Sequence, residues 1–162
     1  MDLDCSENIM RDCGLNMAIT SFSGDYRFLS NFFVLPSWIE YDGYKWATTE
    51  QAYQAAKSDF SMREINYTLM CEDRVTPGEA KRMGQKLEMR PDWDQIKIAV
   101  MTKINEEKFE KNPDLMELLL ATKDQELIEG NTWGDTFWGQ CPIGKGSNYL
   151  GKILMGIRDS IV

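Results

Sequence analysis

Apolar and polar positions alternate over Ile19 to Ser23, which predicts a short strand. Asp25 to Asn31 is polar and aromatic without a period and reads as a loop. Trp38, Ile39 and Tyr41 then precede Asp42-Gly43, and Tyr44, Lys45 and Trp46 follow it; Asp-Gly between aromatic runs predicts a two-residue hairpin. From there the pattern turns helical. Thr48-Thr49-Glu50-Gln51 fits a capping box, with Thr48 as the cap of a helix to about Lys57. Ser61-x-x-Glu64 opens a second helix to about Cys71, and Thr76-Pro77-Gly78-Glu79 a third to about Gln85, with proline at the first helical position. Asp92 starts the longest helix, whose apolar face carries Ile96, Val100, Met101 and Ile104. Asn112-Pro113 breaks it and starts another through Leu115 to Leu120. A last helix from about Asn148 repeats Leu150, Ile153, Leu154, Ile157 and Ile161 at helical spacing. The pattern predicts a mainly α domain with a small N-terminal antiparallel β element, an α+β arrangement.

One stretch fits neither period. Asn131 to Gly151 holds two of the five tryptophans and five of the twelve glycines, with Asp135 between the indoles of Trp133 and Trp138. It reads as a loop, and loops that combine aromatics, glycines and an acid are more often sites than connections.

The 162 residues suffice for one compact domain, with 1–18 as a polar extension and 19–162 as the folded unit. No apolar run reaches membrane-spanning length, and the acidic N-terminus lacks the basic and apolar regions of a signal peptide. Cys5, Cys13, Cys71 and Cys141 form no C-x-x-C pair, so reduced thiols in the cytoplasm are expected and a metal site is not. A net charge of −8 argues against generic binding to a nucleic-acid backbone. The absence of histidine changes the picture most. It removes Ser-His-Asp and Cys-His chemistry and leaves acid/base work to Asp, Glu, Lys, Tyr or Cys.

Two acids emerge. Glu50 falls in the first turn of its helix, where free N–H groups and the dipole favour the ionised form. That suits it to stabilise a cation or hold a water; the competing role is a surface acid supporting its own helix. Asp135, flanked by two indoles, is expected to be partly desolvated and able to serve as acid or base; the competing role is an Asx turn shaping the loop. Trp133 and Trp138 offer flat faces for a base or, alternatively, a lid over the core, whereas Trp93 at the start of the long helix reads as core. Gly144-Lys145-Gly146-Ser147-Asn148 before the last helix could nest a phosphate with Lys145 or Arg158, or be a plain turn; it is not a Walker A. Arg27, Arg74, Arg82 and Arg90 are scattered and read as surface.

Together these pieces resemble the NADAR domain family, also called YbiA-like. The resemblance covers about Ile19 to Val162. It rests on Phe28-Leu29-Ser30-Asn31-Phe32, Thr48 to Lys57, Ala80 to Gly84 followed by Arg90-x-x-Trp93, Lys108-Phe109, Leu118 to Thr122, Leu127-Ile128-Glu129, Asp135-x-x-Trp138-Gly139, Gly146-x-Asn148-x-Leu150-Gly151 and Leu154-Met155. It implies an N-glycosidase of phosphorylated ribosides. The substrate it implies is ADP-ribose on guanine in nucleic acid or a ribosylamino-pyrimidine phosphate of the riboflavin pathway. No cofactor and no metal are implied. Its functional acids and tryptophans fall on Glu50, Trp93, Asp135 and Trp138, and Asn31, Gln54, Gly139, Gly146 and Asn148 from the matched segments join Trp133 as expected substrate contacts. Many members carry histidine where this chain has Gln51, which cannot titrate. The rival to an enzyme is a module that binds NAD or ADP-ribose without cleaving it. The enzyme reading carries a spatial expectation: Glu50 and Asp135 should face one cleft together with Trp138.

Overall fold

The computed structural model describes residues 17–161, so most of the N-terminal extension, with Cys5 and Cys13, lies outside the described residues. The chain forms a helical domain with one two-stranded antiparallel sheet. Strands β1 (Ile39–Tyr41) and β2 (Tyr44–Trp46) pair Ile39 with Trp46 and Tyr41 with Tyr44. Asp42 and Gly43 both take positive φ, 57° and 84°, the conformation a two-residue hairpin of this hand requires. Six α-helices follow: α1 (Thr49–Ala56), α2 (Arg63–Met70), α3 (Pro77–Gly84), α4 (Trp93–Lys111), α5 (Pro113–Leu120) and α6 (Tyr149–Asp159).

Helix α1 is the centre of the fold, and all eight of its residues are buried. Small residues make this possible: Ala52, Ala55 and Ala56 on α1 and Ala80 on α3 are almost fully buried and let the helix axes approach. The Thr48 hydroxyl accepts from the Gln51 N–H at 3.2 Å, which caps α1 as expected. The Gln51 side chain bridges two places: its Oε1 accepts from the Thr48 hydroxyl at 3.0 Å, and its Nε2 donates to the carbonyls of Met70 and Glu72, both at 2.9 Å, and so ties α1 to the end of α2. Thr76 and Glu79 form a complete capping box on α3.

Four expectations are corrected. Ile19 makes a single bridge to Leu127 rather than a strand, because only its own N–H and carbonyl find backbone partners there. Gly24–Leu29 is a 3-10 helix rather than a loop, and it buries Phe28 and Leu29. Ser61 does not cap α2: its N–H and hydroxyl both donate to Asp59 Oδ2, at 3.2 and 2.7 Å, since a carboxylate two residues upstream is the stronger acceptor. Ile161 lies beyond the end of α6 and is exposed.

On α4, Val100, Met101, Ile104 and Phe109 are buried, and so are Asn105 and Lys108 on the same face. Asn112 ends the helix. Its Nδ2 donates to the carbonyls of Lys108 and Ser37 and its Oδ1 accepts from the Ser37 N–H, so one amide stops α4 and pins the segment that leads into β1. Among the described residues, no helix is long and apolar enough to cross a membrane.

Candidate active site

A cleft of about 340 Å³ opens where α1, α3, α4 and the Asn131–Gly151 loop meet. Glu50, Asp135 and Trp138 all line it, joined by Trp133, Asn31 and Gln54. Sequence reasoning had not singled out Tyr53, Lys57, Lys81 and Glu129, which line it too.

Glu50 sits at its floor, 6% exposed. Gln54, one turn along α1, donates Nε2 to Glu50 Oε1 at 2.7 Å. Burial pushes the Glu50 carboxyl above its ordinary range, opposed by the Gln54 hydrogen bond and by Lys81 and Lys57, and reinforced by Asp135. The helix start alone favours the ionised form; at this depth desolvation outweighs it. Gln54 is held by close packing. A Cβ on Gly84 of α3 would lie 1.9 Å from Gln54 Oε1, so only glycine leaves room for this amide. Gln54 Oε1 itself is buried without a hydrogen-bond partner among the described residues.

Asp135 shapes the loop as well as facing the cleft. Its Oδ1 accepts from the N–H groups of Phe137 and Trp138, at 3.2 and 2.9 Å, an Asx-type turn that aims the Trp138 ring inward. Asn131 closes the same turn, with Oδ1 accepting from the Asp135 N–H and Nδ2 donating to the Asp135 carbonyl. The Trp138 Nε1–H donates to the Tyr53 hydroxyl at 3.1 Å, and the two rings meet edge to face at 5.4 Å. Burial raises the Tyr53 phenol pKa, so Tyr53 is a neutral hydrogen-bonding group and not a base. At the mouth, Trp133 is 64% exposed and Phe32 is 42% exposed, and Lys81 Nζ lies over both rings at 5.5 and 5.8 Å.

Four expected contacts lie outside the lining. Trp93 is buried behind it and packs on the far side of Tyr53, with ring centroids 5.2 Å apart. Gly139, Gly146 and Asn148 form a buttress rather than a phosphate nest. The N–H groups of Ser147, Asn148, Tyr149 and Leu150 already donate to the carbonyls of Thr136, Gly139, Phe137 and Trp138, which leaves none of them for an anion. A Cβ on Gly146 would lie 2.3 Å from the Gly139 carbonyl oxygen, so these two loop segments meet backbone to backbone. Asn148, in the left-handed region at φ 50°, accepts from the Glu129 N–H and donates to the Leu127 carbonyl. Arg158 is also consumed internally, by Thr122, Gln125 and Asp159, and Lys145 is an exposed residue away from the cleft.

The arrangement provides buried carboxyls, an aromatic wall and two lysines around one cleft. Among the described residues, no group of three or more acids, cysteines or histidines is gathered as a metal site.

Comparison with known proteins gives the family and the fold. The NADAR domain profile matches residues 20–162. The chain is 36% identical over 157 residues to the N-glycosidase YbiA of Escherichia coli K12, covering 96% of this chain and 92% of that protein. It is 37% identical over 139 residues to an N-glycosidase of Nostoc punctiforme, covering 84% and 86% of the two chains. A riboflavin biosynthesis protein of Vibrio vulnificus is 39% identical over 137 residues, covering 85% of this chain and 36% of that larger protein. The NMR structure of the Escherichia coli protein YbiA superposes with a TM-score of 0.72 at 34% identity, over 91% of this chain and 89% of that one. The profile match spans the cleft-forming loop, and the YbiA sequence match and superposition each cover more than nine-tenths of this chain, so the chain belongs to the NADAR domain family.

Proposed function

We propose that the protein is a hydrolase of N-glycosyl bonds, which cleaves the base–ribose bond of a phosphorylated riboside in this cleft. The observation that carries the reading is the convergence of Glu50, Asp135 and Trp138 on one cleft from segments far apart in the chain. N-glycoside hydrolysis develops positive charge on the ribose, and carboxylates around a partly desolvated cleft stabilise that charge strongly. In this reading Glu50, in its ionised fraction, supports the cationic sugar and orients the attacking water. Asp135 adds negative charge and holds the loop. Trp138 presents a face to the base or sugar, and Gln54 holds the Glu50 carboxyl in place through its Nε2 hydrogen bond. Lys57 and Lys81, rather than the Gly146 turn, hold the phosphate.

The names of the relatives favour a ribosylamino-pyrimidine phosphate of the riboflavin pathway as the substrate. A second reading is favoured by the shape beyond the cleft. An open groove lined by Arg27, Phe33 and Val34 shares Ser30 and Phe32 with the cleft wall. It offers room and a cation for the second half of an ADP-ribosyl group carried on guanine. The test is to incubate the protein separately with the ribosylamino-pyrimidine phosphate and with an oligonucleotide bearing ADP-ribosylated guanine. Release of ribose phosphate identifies the first substrate, and release of ADP-ribose the second. Tight binding with neither product would replace the enzyme reading by a binding module.

A further inference from the structure

Three acidic side chains line the cleft, and the third is unassigned. Glu129 precedes the focal loop and is held by its backbone: the N–H donates to Asn148 Oδ1 at 3.0 Å and the carbonyl accepts from the Gln140 N–H at 2.9 Å. A Cβ on Gly139 would lie 2.0 Å from that carbonyl, so the backbone here has no room to shift. The side chain is anchored by nothing comparable. Its Oε2 is buried with no hydrogen-bond partner among the described residues, whereas Glu50 receives a hydrogen bond from Gln54 and Asp135 receives two from the loop backbone. An ionised carboxylate in that position lacks the donors that offset desolvation; a protonated one needs fewer.

We propose that Glu129 is a third catalytic carboxyl of this cleft, the group that holds the proton delivered to the departing base. The inference rests on the N-glycosidase reading. The groups facing it are Glu50 on α1, Lys81 on α3, Lys108 on α4 and Asp135 on the loop. Lys108 is fully buried, with the Ser30 carbonyl as its hydrogen-bonding acceptor at 3.1 Å. Burial, then the charges of Asp135 and Glu50, raise the Glu129 carboxyl to about 7, against the weaker opposing pull of Lys108 and Lys81. Such a group is about half protonated at pH 7 and more so below it, so the acid form is available to protonate a leaving group. Glu129 gives its proton to the base nitrogen as the C1′–N bond breaks and the bonding pair moves onto that nitrogen. Water adds to C1′ and loses a proton to the Glu50 carboxylate. Exchange with solvent then returns Glu50 to the anion and Glu129 to the acid, so the sum is one water consumed per bond cleaved.

The test compares two leaving groups. Wild type and Glu129→Gln are assayed on the ribosylamino-pyrimidine phosphate, or on the ADP-ribosylated oligonucleotide if that is the one cleaved, and on p-nitrophenyl riboside 5-phosphate, whose phenolate departs without a proton. The variant should lose about 100-fold or more in kcat on the N-glycoside and only a few-fold on the nitrophenyl compound. The wild-type rate should fall as pH rises through about 7, and that limb should be absent in Glu129→Gln. Glu129→Asp, which keeps a titratable group, should restore the limb at reduced rate, and it serves in place of the glutamine variant if thermal melting shows that one unfolded. Equal losses on both leaving groups, or no loss on either, would overturn the assignment. A wild type that cleaves neither N-glycoside would instead overturn the N-glycosidase reading.

Discussion

At the scale of single residues, the site is decided by the contest between burial and local donors. Glu50 has a helix start, a Gln54 hydrogen bond and two nearby lysines, yet desolvation still raises its carboxyl pKa. Glu129 has no such donor, and its pKa reaches about 7. This has a consequence for stability. A carboxyl whose folded-state pKa exceeds its unfolded value binds more protons folded than unfolded between the two, so stability falls as pH rises from about 4.5 to about 7. Glu129→Gln should therefore melt higher than wild type above pH 7, by roughly 3 kcal/mol at most, with the difference vanishing below pH 4; melting curves across that range check it. Asp135 separates charge from shape. Asp135→Asn keeps the Oδ1 acceptor for Phe137 and Trp138, so it should fold normally while losing turnover by at least about 10-fold. Asp135→Ala should also lose roughly 1–2 kcal/mol of stability from two unmade hydrogen bonds. Urea melts and initial rates of the pair distinguish the two roles.

At the scale of elements, the chain was legible wherever one local signal stood alone. Asp42-Gly43 predicted the hairpin, and Thr48 and Thr76 predicted helix starts, because turn and cap geometry depend on a few adjacent residues. It failed where two local partners competed. Ser61 had the right spacing from Glu64, but Asp59 captured it first. The Gly146 turn had the composition of a nest, but the carbonyls of Thr136 to Gly139, brought alongside by the fold, took the N–H groups of Ser147 to Leu150. The Gln51 position shows the same thing. Its amide serves the α1–α2 junction and does not line the cleft, so the missing histidine removes nothing from the cleft floor as this chain builds it. The α1–α3 contact yields a prediction at this scale. Gly84→Ala places a methyl where Gln54 sits and displaces the donor to Glu50. It should cost about 1–3 kcal/mol of stability, and its loss of turnover should be larger than that of an exposed-face change on α3 such as Arg82→Ala. Chemical denaturation and steady-state rates measure both effects.

At the scale of the whole molecule, an acidic protein carries a cleft with a local cationic wall. The net charge of −8 says nothing about Lys57 and Lys81, which the packing of α1 against α3 brings to one mouth. Neither lysine was legible in the sequence, because a lysine on a helix has the same spacing whether it faces solvent or a cleft. Glu129 lies within a matched segment, but nothing in its sequence context marks it chemically; its burial does. Asp135 and Trp138 were legible because an acid between two indoles is unusual in itself, whereas Glu50 was one of several first-turn acids and stood out only through the matched segment that carries it. Lys81 lies over Phe32 and Trp133, and removing it should loosen the phosphate end of the substrate. Lys81→Ala should raise KM about 10-fold with kcat changed only a few-fold, and the salt dependence of kcat/KM should weaken in parallel.

The account stands on Glu50 and Asp135 acting on one bond in one cleft. The most direct measurement follows release of free base by wild type, Glu50→Gln and Asp135→Asn, with ribose 5-phosphate binding measured on the same three proteins. The account predicts that all three bind the sugar phosphate comparably, that Glu50→Gln falls by at least about 100-fold in kcat, and that Asp135→Asn is also impaired. Near wild-type hydrolysis by both variants would contradict it.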